Sequence, residues 1–287
     1  NTGQEFSVFE AVADTFQARN SKLITVNGAQ SGQTASIIRD PDAQYWRVLE
    51  EERLWHRRVT AKQVQVVWLK QDNIAPTEAF PVHAEKLRDD LHAIVRLLPE
   101  KFPNIKLCYI SSRTYGGYAN TALNPEPYAY ESAFSVKWLI EQQINGDTSL
   151  RFDNPNRRAP WLAWGPYLWT SGATTRADGL QWLRADVAAD GTHPSDAGRK
   201  KVADLLLGYF SHDETATPWF LASPTGVDTP ANPGSLHIAA APNPAHDIVT
   251  IHVRSTEGRN VRVEFFSLTG SRIALLLDRA SSAELSL

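Results

Sequence analysis

The stretch VQVVWLKQDNIAPTEAFPVHAEKLRDDLHAIVRLLPEKFPNIKLCYIS, residues 64–111, decides the fold class. It begins with a β-branched apolar run at residues 64–69 and ends with another at residues 105–111, and each run predicts a buried strand. Between them, apolar side chains recur at helical spacing over residues 82–98, and Pro99 marks the predicted end of that helix. Two strands joined through one helix predict a parallel pair.

The same alternation of strand and helix patterns continues on both sides of this stretch. Upstream we predict a strand at residues 22–26 and a helix at 42–58, and downstream we predict helices at 131–144 and 196–210, the last one capped by Ser195. Alternation of this kind predicts an α/β fold in which helices cover both faces of a parallel sheet. The working site of such a sheet lies at the carboxyl ends of its strands.

The chain also divides by composition. A stretch rich in Thr, Pro, Ala, Ser and Gly predicts a linker at residues 223–235, between an α/β domain of residues 1–222 and a second domain of residues 236–287. In the second domain the apolar pattern has period two and no helix pattern occurs, so we predict a small all-β sandwich. Its predicted strands cover residues 248–253, 261–268 and 273–277.

Composition excludes several classes of function. With 29 basic and 32 acidic residues the net charge is −3, so we predict no nucleic-acid partner. No apolar run approaches the ~20 residues of a membrane-spanning helix, so we predict no transmembrane segment. The eight histidines show no paired ligand spacing and Cys108 is the single cysteine, so we predict no metal and no cofactor. The chain has no methionine and begins with Asn1, so we expect it to be processed or truncated, with any signal peptide already removed.

The strongest motif for chemistry is DGTHPS, residues 190–195. Asp190 precedes His193 by three residues on a turn closed by proline, and from there its carboxylate can reach the imidazole Nδ1–H. That hydrogen bond fixes the tautomer and leaves Nε2 as a general base. The alternative is an ordinary turn before a capped helix. The position of the motif beside the last predicted helix of the α/β domain favours the catalytic interpretation.

Two further stretches follow predicted strands and suit an oxyanion hole. In NGAQSGQT, residues 27–34, glycines allow backbone N–H groups to approach a ligand. In KQDN, residues 70–73, side-chain amides stand at the end of the next strand, where one of them can donate to an oxyanion. The alternatives are a strand-to-helix turn and the polar start of a loop.

Together these stretches resemble the SGNH, or GDSL-type, hydrolases, a superfamily of esterases, lipases and carbohydrate deacetylases. The resemblance covers about residues 1–212 and implies a flavodoxin-like three-layer α/β fold. The family block D-x-x-H-P is the most specific of the set, and it matches Asp190 and His193. The resemblance implies that these residues are the orienting acid and the base of a Ser-His-Asp triad.

The remaining family blocks match with different quality. The block N-x-x-x-S-G-x-T matches residues 27–34 and implies that the N–H of Gly32 lines the oxyanion hole. The block G-x-N-D matches poorly, so we assign the second oxyanion donor to Asn73 and keep Gln71 as the alternative. The first block carries the nucleophilic serine, and no Gly-Asp-Ser occurs in the chain.

Because the first block is missing, we look for its serine next to Asn1, where the chain begins. A helical pattern follows this residue directly, and in some members of the family an asparagine stands immediately after the serine. We therefore expect the nucleophile to lie just upstream of Asn1. Ser31 is the rival nucleophile.

Four residues are candidates for substrate binding. The loop of residues 111–118 follows a predicted strand, and in it we assign Arg113 and Tyr115 to the substrate. Arg113 either recognises a carboxylate or is a plain surface charge. Trp164 and Tyr167, upstream of the Asp190 motif, either stack on a sugar ring or acyl group or fill the core under a loop.

The C-terminal domain has a resemblance of its own. The stretch APNPA at residues 241–245 and the stretch VRVEFFSLTG at 261–270 resemble the sorting domains of type IX secretion cargo, over about residues 236–287. The final strand and basic terminus of that family are missing, so we expect this end to be cut as well. The resemblance implies secretion or cell-surface display, with the secretion machinery as a partner. The alternative is a generic β module, such as a carbohydrate-binding one.

These expectations combine into one hypothesis about function. We expect a secreted ester hydrolase that acts, without a cofactor, on an ester carried by a small molecule or a polysaccharide. The alternative is a non-catalytic secreted surface or glycan-binding protein on the same fold.

Overall fold

The computed structural model describes residues 1–153 and 155–222 in full, and beyond them the backbone of five strands. The chain divides into two compact units, Asn1–Ala222 and Ser223–Leu287. All the residues assigned above to the site belong to the first unit.

A parallel sheet of three strands lies at the centre of the first unit. Its order is β1 (Val66–Leu69), β2 (Leu107–Ile110) and β3 (Trp161–Trp164). Because the strands are parallel, their carboxyl ends meet at one edge. β1 and β2 confirm the two strands predicted within residues 64–111, whereas β3 lies in a Trp-rich stretch for which the sequence predicts no strand.

The described residues of the first unit form seven α-helices. The long helices confirm the predicted helical patterns, and Ser195 confirms its predicted cap because its Oγ accepts the N–H of Gly198 at 3.3 Å. The pattern at 42–58 forms a short α-helix that continues as a π-helical turn, Leu49–Leu54. The α-helices are α1 (Thr2–Thr15), α2 (Ala35–Ile38), α3 (Gln44–Val48), α4 (Val82–Lys101), α5 (Tyr128–Ile144), α6 (Asp196–His212) and α7 (Thr217–Phe220).

Two hydrophobic cores lie on the two faces of the sheet. Along β2, Cys108 and Ile110 belong to one core and Tyr109 to the other, as the alternation of side chains in a strand requires. The first core contains the buried leucines of α4 and α5. The second contains Phe9 of α1 and Phe210 of α6. The first unit is therefore an α/β fold with helices on both faces of its parallel sheet.

Two local predictions are wrong. Residues 22–26 form no strand: Lys22 lies in a turn, and residues 23–26 have no regular secondary structure. They and β1 line one cavity of about 610 Å³, so open space replaces the hydrogen-bonded neighbour that a strand needs. The helix predicted to stop before Pro99 runs on to Lys101, so Pro99 lies in the last turn of α4.

The described residues of the second unit form five strands. β4 (Leu236–Ala241), β5 (Thr250–Ser255) and β8 (Ala283–Ser286) form one antiparallel sheet, and β6 (Val261–Phe266) and β7 (Arg272–Arg279) form an antiparallel pair. Strands occur in each of the three predicted stretches. The predicted linker at 223–235 and the proline-rich part of the APNPA motif, residues 242–245, lie outside the described residues. Among the residues that the structure describes, no helix is both long and apolar enough to cross a membrane.

Candidate active site

Asp190 and His193 lie on a turn that backbone hydrogen bonds close, and residues 186–195 are called here the Asp-His turn. Ala188 N donates to the carbonyl of His193 at 2.8 Å, and Ser195 N donates to the carbonyl of Asp186 at 2.9 Å. An isolated antiparallel bridge between Val187 and Pro194 lies between these bonds. The turn is therefore anchored at its base by the start of α6, and its tip carries the two candidate side chains.

Gly191 at the tip meets a close backbone neighbour. Its φ is +69°, in the left-handed region, and a Cβ on it would lie 1.7 Å from the carbonyl oxygen of Tyr118. Asn120 N donates to the carbonyl of Asp190 at 3.1 Å, so the loop after β2 packs directly on the tip. Only glycine fits this position, since it needs both the backbone conformation and the space.

The carboxylate of Asp190 is shared between the imidazole and the backbone. Its Oδ2 lies in hydrogen-bond contact with Nδ1 of His193, and its Oδ1 accepts the N–H groups of Thr192 at 3.1 Å and of His193 at 3.0 Å. Partial burial raises the pKa of Asp190, but the hydrogen bonds from the imidazole and the two N–H groups outweigh it and lower the pKa to about 2. The ionised carboxylate holds the proton of the imidazole on Nδ1, which leaves Nε2 as the basic nitrogen.

His193 remains accessible at this position. Its side chain is 45% exposed, and no residue in the described ranges hydrogen-bonds to its Nε2. A base with its tautomer fixed on one side and an open nitrogen on the other can accept a proton from a bound hydroxyl group.

Asn1 lies against the same turn. Its side-chain Nδ2 donates to the carbonyl of Thr192 at 3.0 Å, one residue before His193. The hydroxyl of Thr2 donates to the carbonyl of Lys70 at 3.1 Å, so the start of α1 is held between the Asp-His turn and the end of β1. The first residues of the chain therefore lie beside the candidate base.

An ion pair is buried directly beneath the start of α1. Lys70 Nζ and Glu5 Oε2 are in hydrogen-bond contact, and the two side chains are 0% and 1% exposed. Sequence reasoning missed both residues, because the two positions are 65 residues apart and no local pattern joins them. The one sequence feature that could have indicated a buried ion pair is the position of Lys70 directly after an apolar strand.

The stretch predicted for the oxyanion hole, residues 27–34, reaches the carboxyl edge of the sheet. Asn27 Nδ2 donates to the carbonyl of Gly3 at 2.7 Å, which ties the stretch to the first turn of α1. Gly32 lies in an exposed turn with φ +73°, so its predicted role stays a prediction. Ser31, the rival nucleophile, is also exposed, and no hydrogen bond among the described residues joins its Oγ to His193.

Asn73, the predicted second oxyanion donor, is engaged elsewhere. Its Nδ2 donates to Asp90 Oδ2 at 2.6 Å, and its Oδ1 accepts the N–H of Ser36 at 2.9 Å. These bonds tie the loop after β1 to α4 and to α2 and use one of the two Nδ2 hydrogens of Asn73, so its oxyanion role stays a prediction. The alternative, Gln71, lines the 610 Å³ cavity beside Lys70, and no described residue hydrogen-bonds to its amide.

The predicted substrate residues fall into two places. Arg113 lies beyond the end of β2, with its Nε 3.9 Å from Oδ2 of the buried Asp72. Tyr115 packs edge-on against Tyr118, with ring centroids 5.2 Å apart, in the loop that touches the Asp-His turn. Both therefore stay near the candidate site.

Trp164 and Tyr167 lie in a separate pocket. They line a shallow cavity of about 380 Å³ between the end of β3 and the first turns of α5, together with Tyr130, Phe134 and Lys137. No residue of the Asp-His turn lines this cavity. The structure thus does not bring these two aromatic residues together with the candidate base.

The chain matches no protein-family model, no curated protein and no solved structure. Within residues 1–153 and 155–222, no three His, Cys, Asp or Glu side chains are grouped as a metal-binding set.

Proposed function

We propose that this protein is a serine ester hydrolase whose nucleophile is the residue immediately before Asn1. The observation that carries the proposal is the hydrogen bond from Asn1 Nδ2 to the carbonyl of Thr192, at 3.0 Å. Neighbouring Cα atoms are only about 3.8 Å apart, so a residue attached to Asn1 starts next to His193. A serine at the carboxyl end of a strand, directly before a helix, is a suitable place for a nucleophile.

The cavity beside β1 supports this proposal. It is lined by Val26 and by Val67 of β1, and it reaches Thr2 at the start of α1. β1 is an edge strand of the described sheet, and a paired strand lies about 4.8 Å from its neighbour. A strand that leads into α1 would therefore run through this cavity of about 610 Å³.

The proposed reaction proceeds through an acyl-enzyme. The serine Oγ attacks the carbonyl carbon of the ester while Nε2 of His193 takes its proton, and Asp190 stabilises the resulting imidazolium. The tetrahedral oxyanion accepts hydrogen bonds from the N–H of Gly32 and from the Gln71 amide. The ester C–O bond then breaks, and the imidazolium gives its proton to the leaving alkoxide. Water attacks the acyl-enzyme with His193 again as base, and releases the acid and the free serine.

We place the first unit, as part of the same proposal, in the SGNH superfamily with its flavodoxin-like three-layer fold. The parallel sheet with helices on both faces is compatible with that assignment. For the second unit we propose a β-sandwich sorting domain that directs secretion of the enzyme. The antiparallel strands β4 to β8 are the observation that supports it.

The test uses the full-length gene product and a short acyl ester such as p-nitrophenyl acetate. We expect His193→Ala to lower kcat/KM by about 10⁴-fold or more, as the loss of a triad base does. His212→Ala is the matched control, because His212 is exposed in the last turn of α6 and bonds only to its own helix and Ser211 among the described residues. Its rate should equal that of the unchanged protein.

Labelling with a fluorophosphonate identifies the nucleophile. Modification of the residue before Asn1 supports the proposal, whereas modification of Ser31 overturns the assignment of the serine. If neither labelling nor hydrolysis occurs, the protein is a binding module instead. The aromatic pocket of Trp164 and Tyr167 favours a glycan ligand for that second function, because sugar rings stack on such side chains.

A further inference from the structure

Arg113 has donors that the described chain does not use. Its side chain is 15% exposed, and the guanidinium makes no hydrogen bond with any residue of 1–153 or 155–222. The nearest carboxylate oxygen, Oδ2 of Asp72, lies 3.9 Å from Nε, beyond hydrogen-bond distance. A guanidinium has five N–H donors, and largely buried donors normally find acceptors. Those of Arg113 are therefore open to an acceptor from outside.

Asp72 compensates the charge of Arg113 only in part. It is buried, and its Oδ2 has no hydrogen-bond partner among the described residues. Burial raises the pKa of Asp72 to about 7, although Arg113 and the N–H of Asn73 oppose the rise. Near neutral pH this carboxyl group is therefore ionised only in part. It neutralises only part of the positive charge of the Arg113 guanidinium.

A second arginine adds positive charge beside the Asp-His turn. Arg199, in the first turn of α6, donates from Nε to the carbonyl of Pro194 at 3.2 Å, one residue after His193. Its Nη1 donates to Asp196 at 3.1 Å, and that carboxylate is 99% exposed, so solvent weakens the compensation.

The positive charges act together at the start of the chain. Thr2 donates to the carbonyl of Lys70, two residues before Asp72, and Asn1 donates to the carbonyl of Thr192, two residues before Pro194, so the start of α1 lies between the segments that the two arginines contact. Because Glu5 is paired with Lys70, the excess positive charge at this place comes from the two arginines. The two arginines therefore bring positive charge to the two segments between which the chain begins, whereas Asp190 supplies negative charge on the Nδ1 side of His193.

We propose that Arg113, with Arg199 at the rim, binds a carboxylate of the substrate, so that the enzyme acts on esters that carry a negative charge close to the ester bond. The planar fork of a guanidinium matches a carboxylate in a bidentate geometry. The statement that the substrate is an ester rests on the proposed function, but the carboxylate site can be tested without any reaction.

The binding test uses the full-length protein and glutarate, followed by isothermal titration. We expect saturable binding of glutarate and none of its neutral diamide, and we expect Arg113→Gln to weaken glutarate binding by about tenfold to a hundredfold. Arg88→Gln is the matched control, because the 24% exposed Arg88 side chain pairs with Asp89 and with no other carboxylate in the described part of the chain. Equal affinity of the Arg113→Gln and Arg88→Gln proteins overturns the proposal.

A second variant keeps the proposal testable if Arg113→Gln fails to fold. Asp72→Asn removes the carboxyl group that competes for Arg113, so glutarate binding should strengthen several-fold. Weaker or unchanged binding in a folded Asp72→Asn protein contradicts the proposal.

The activity test compares esters that differ only in charge. One arm uses a hemisuccinate ester, with the carboxylate on the acyl part, and a second uses an O-acetylated uronic acid, with the carboxylate on the alcohol part. Each is compared with a neutral ester of equal size, and Arg113→Gln should lower the charged-to-neutral ratio of kcat/KM about tenfold to a hundredfold in at least one arm.

The two proposals fail in different ways. If the protein binds glutarate through Arg113 and hydrolyses no ester, the proposed function is wrong and the carboxylate site stands. If it hydrolyses neutral and charged esters equally and does not bind glutarate, the carboxylate site is wrong and the proposed function stands.

Discussion

The buried ion pair of Glu5 and Lys70 holds the start of α1, and breaking it is the most informative perturbation of the first unit. Both side chains are fully covered, with exposures of 1% and 0%. Glu5→Leu leaves the ammonium group without its carboxylate, in a place where burial already lowers the pKa of Lys70. We expect the free energy of unfolding to fall by about 3–5 kcal/mol, because an unpaired charge then remains in the interior.

The double variant separates the cost of an unpaired charge from the value of the pair. Glu5→Leu combined with Lys70→Met removes both charges and leaves apolar side chains of comparable length. Replacing a buried pair in this way is often neutral or stabilising by about 1–4 kcal/mol. We therefore expect the double variant to be at least as stable as either single variant, with a coupling energy of several kcal/mol.

Tryptophan fluorescence during urea unfolding measures these effects in the intact chain. All nine tryptophans belong to the first unit, so the signal reports that unit alone. Lys200→Met is the matched control, because Lys200 pairs with Asp204 on the surface, with exposures of 65% and 53%, and should cost less than about 1 kcal/mol. A loss below about 1 kcal/mol in Glu5→Leu, or strictly additive single effects, would refute the reasoning.

Three further predictions concern the site itself. Gly191→Ala should destabilise the first unit more than Gly179→Ala in urea unfolding: both have positive φ, costing about 1–2 kcal/mol, but only Gly191 also meets the carbonyl of Tyr118. Asp190→Asn should lower kcat on p-nitrophenyl acetate by about 10⁴-fold, because the imidazole loses the acceptor that fixes its tautomer. Asp72→Asn should flatten the pH dependence of stability between pH 4 and 7. Burial raises the pKa of Asp72 from 3.8 to about 7, so the folded protein keeps a proton that the unfolded chain releases, and stability falls as pH rises, by up to about 4 kcal/mol.

Each of these predictions has an outcome that contradicts it. Equal stability of the two glycine variants would mean that the loop after β2 yields to a methyl group. Retained activity in Asp190→Asn would remove this carboxylate from the mechanism. An unchanged pH profile in Asp72→Asn would mean that Asp72 is already ionised in the folded protein at low pH.

Local patterns predicted the elements whose structure depends on their own side chains. The apolar runs at 64–69 and 105–111 became β1 and β2, and the helical spacing at 82–98 became α4. Residues 22–26 have the same kind of pattern and form no strand, because a strand also requires a neighbour that supplies hydrogen bonds. Pattern alone therefore predicts that a segment suits a strand, and its neighbours decide whether it becomes one.

In the candidate site too, the sequence predicted local contacts and did not show long-range ones. Asp190 and His193 are three residues apart, so their contact is a local property of one turn and is visible in the motif. The Asn73 amide also donates to Asp90 of α4, which lies 17 residues away, and this contact is not visible in the motif. A hydrogen-bonding side chain goes to its best partner in space, and spacing along the chain does not show distant partners.

The sequence by itself determined the α/β class, the parallel pair and the Asp-His motif, because strand and helix periodicity and a three-residue spacing are short-range properties. Only the tertiary structure decided that Asn1 lies beside His193 and that Glu5 and Lys70 are buried together. It also decided that the guanidinium of Arg113 lies near Asp72 without a hydrogen bond to it. These arrangements join positions far apart in the chain. They depend on which elements pack together in the two cores. They also depend on which charged and polar groups this packing buries, because a buried polar group needs a partner to replace water.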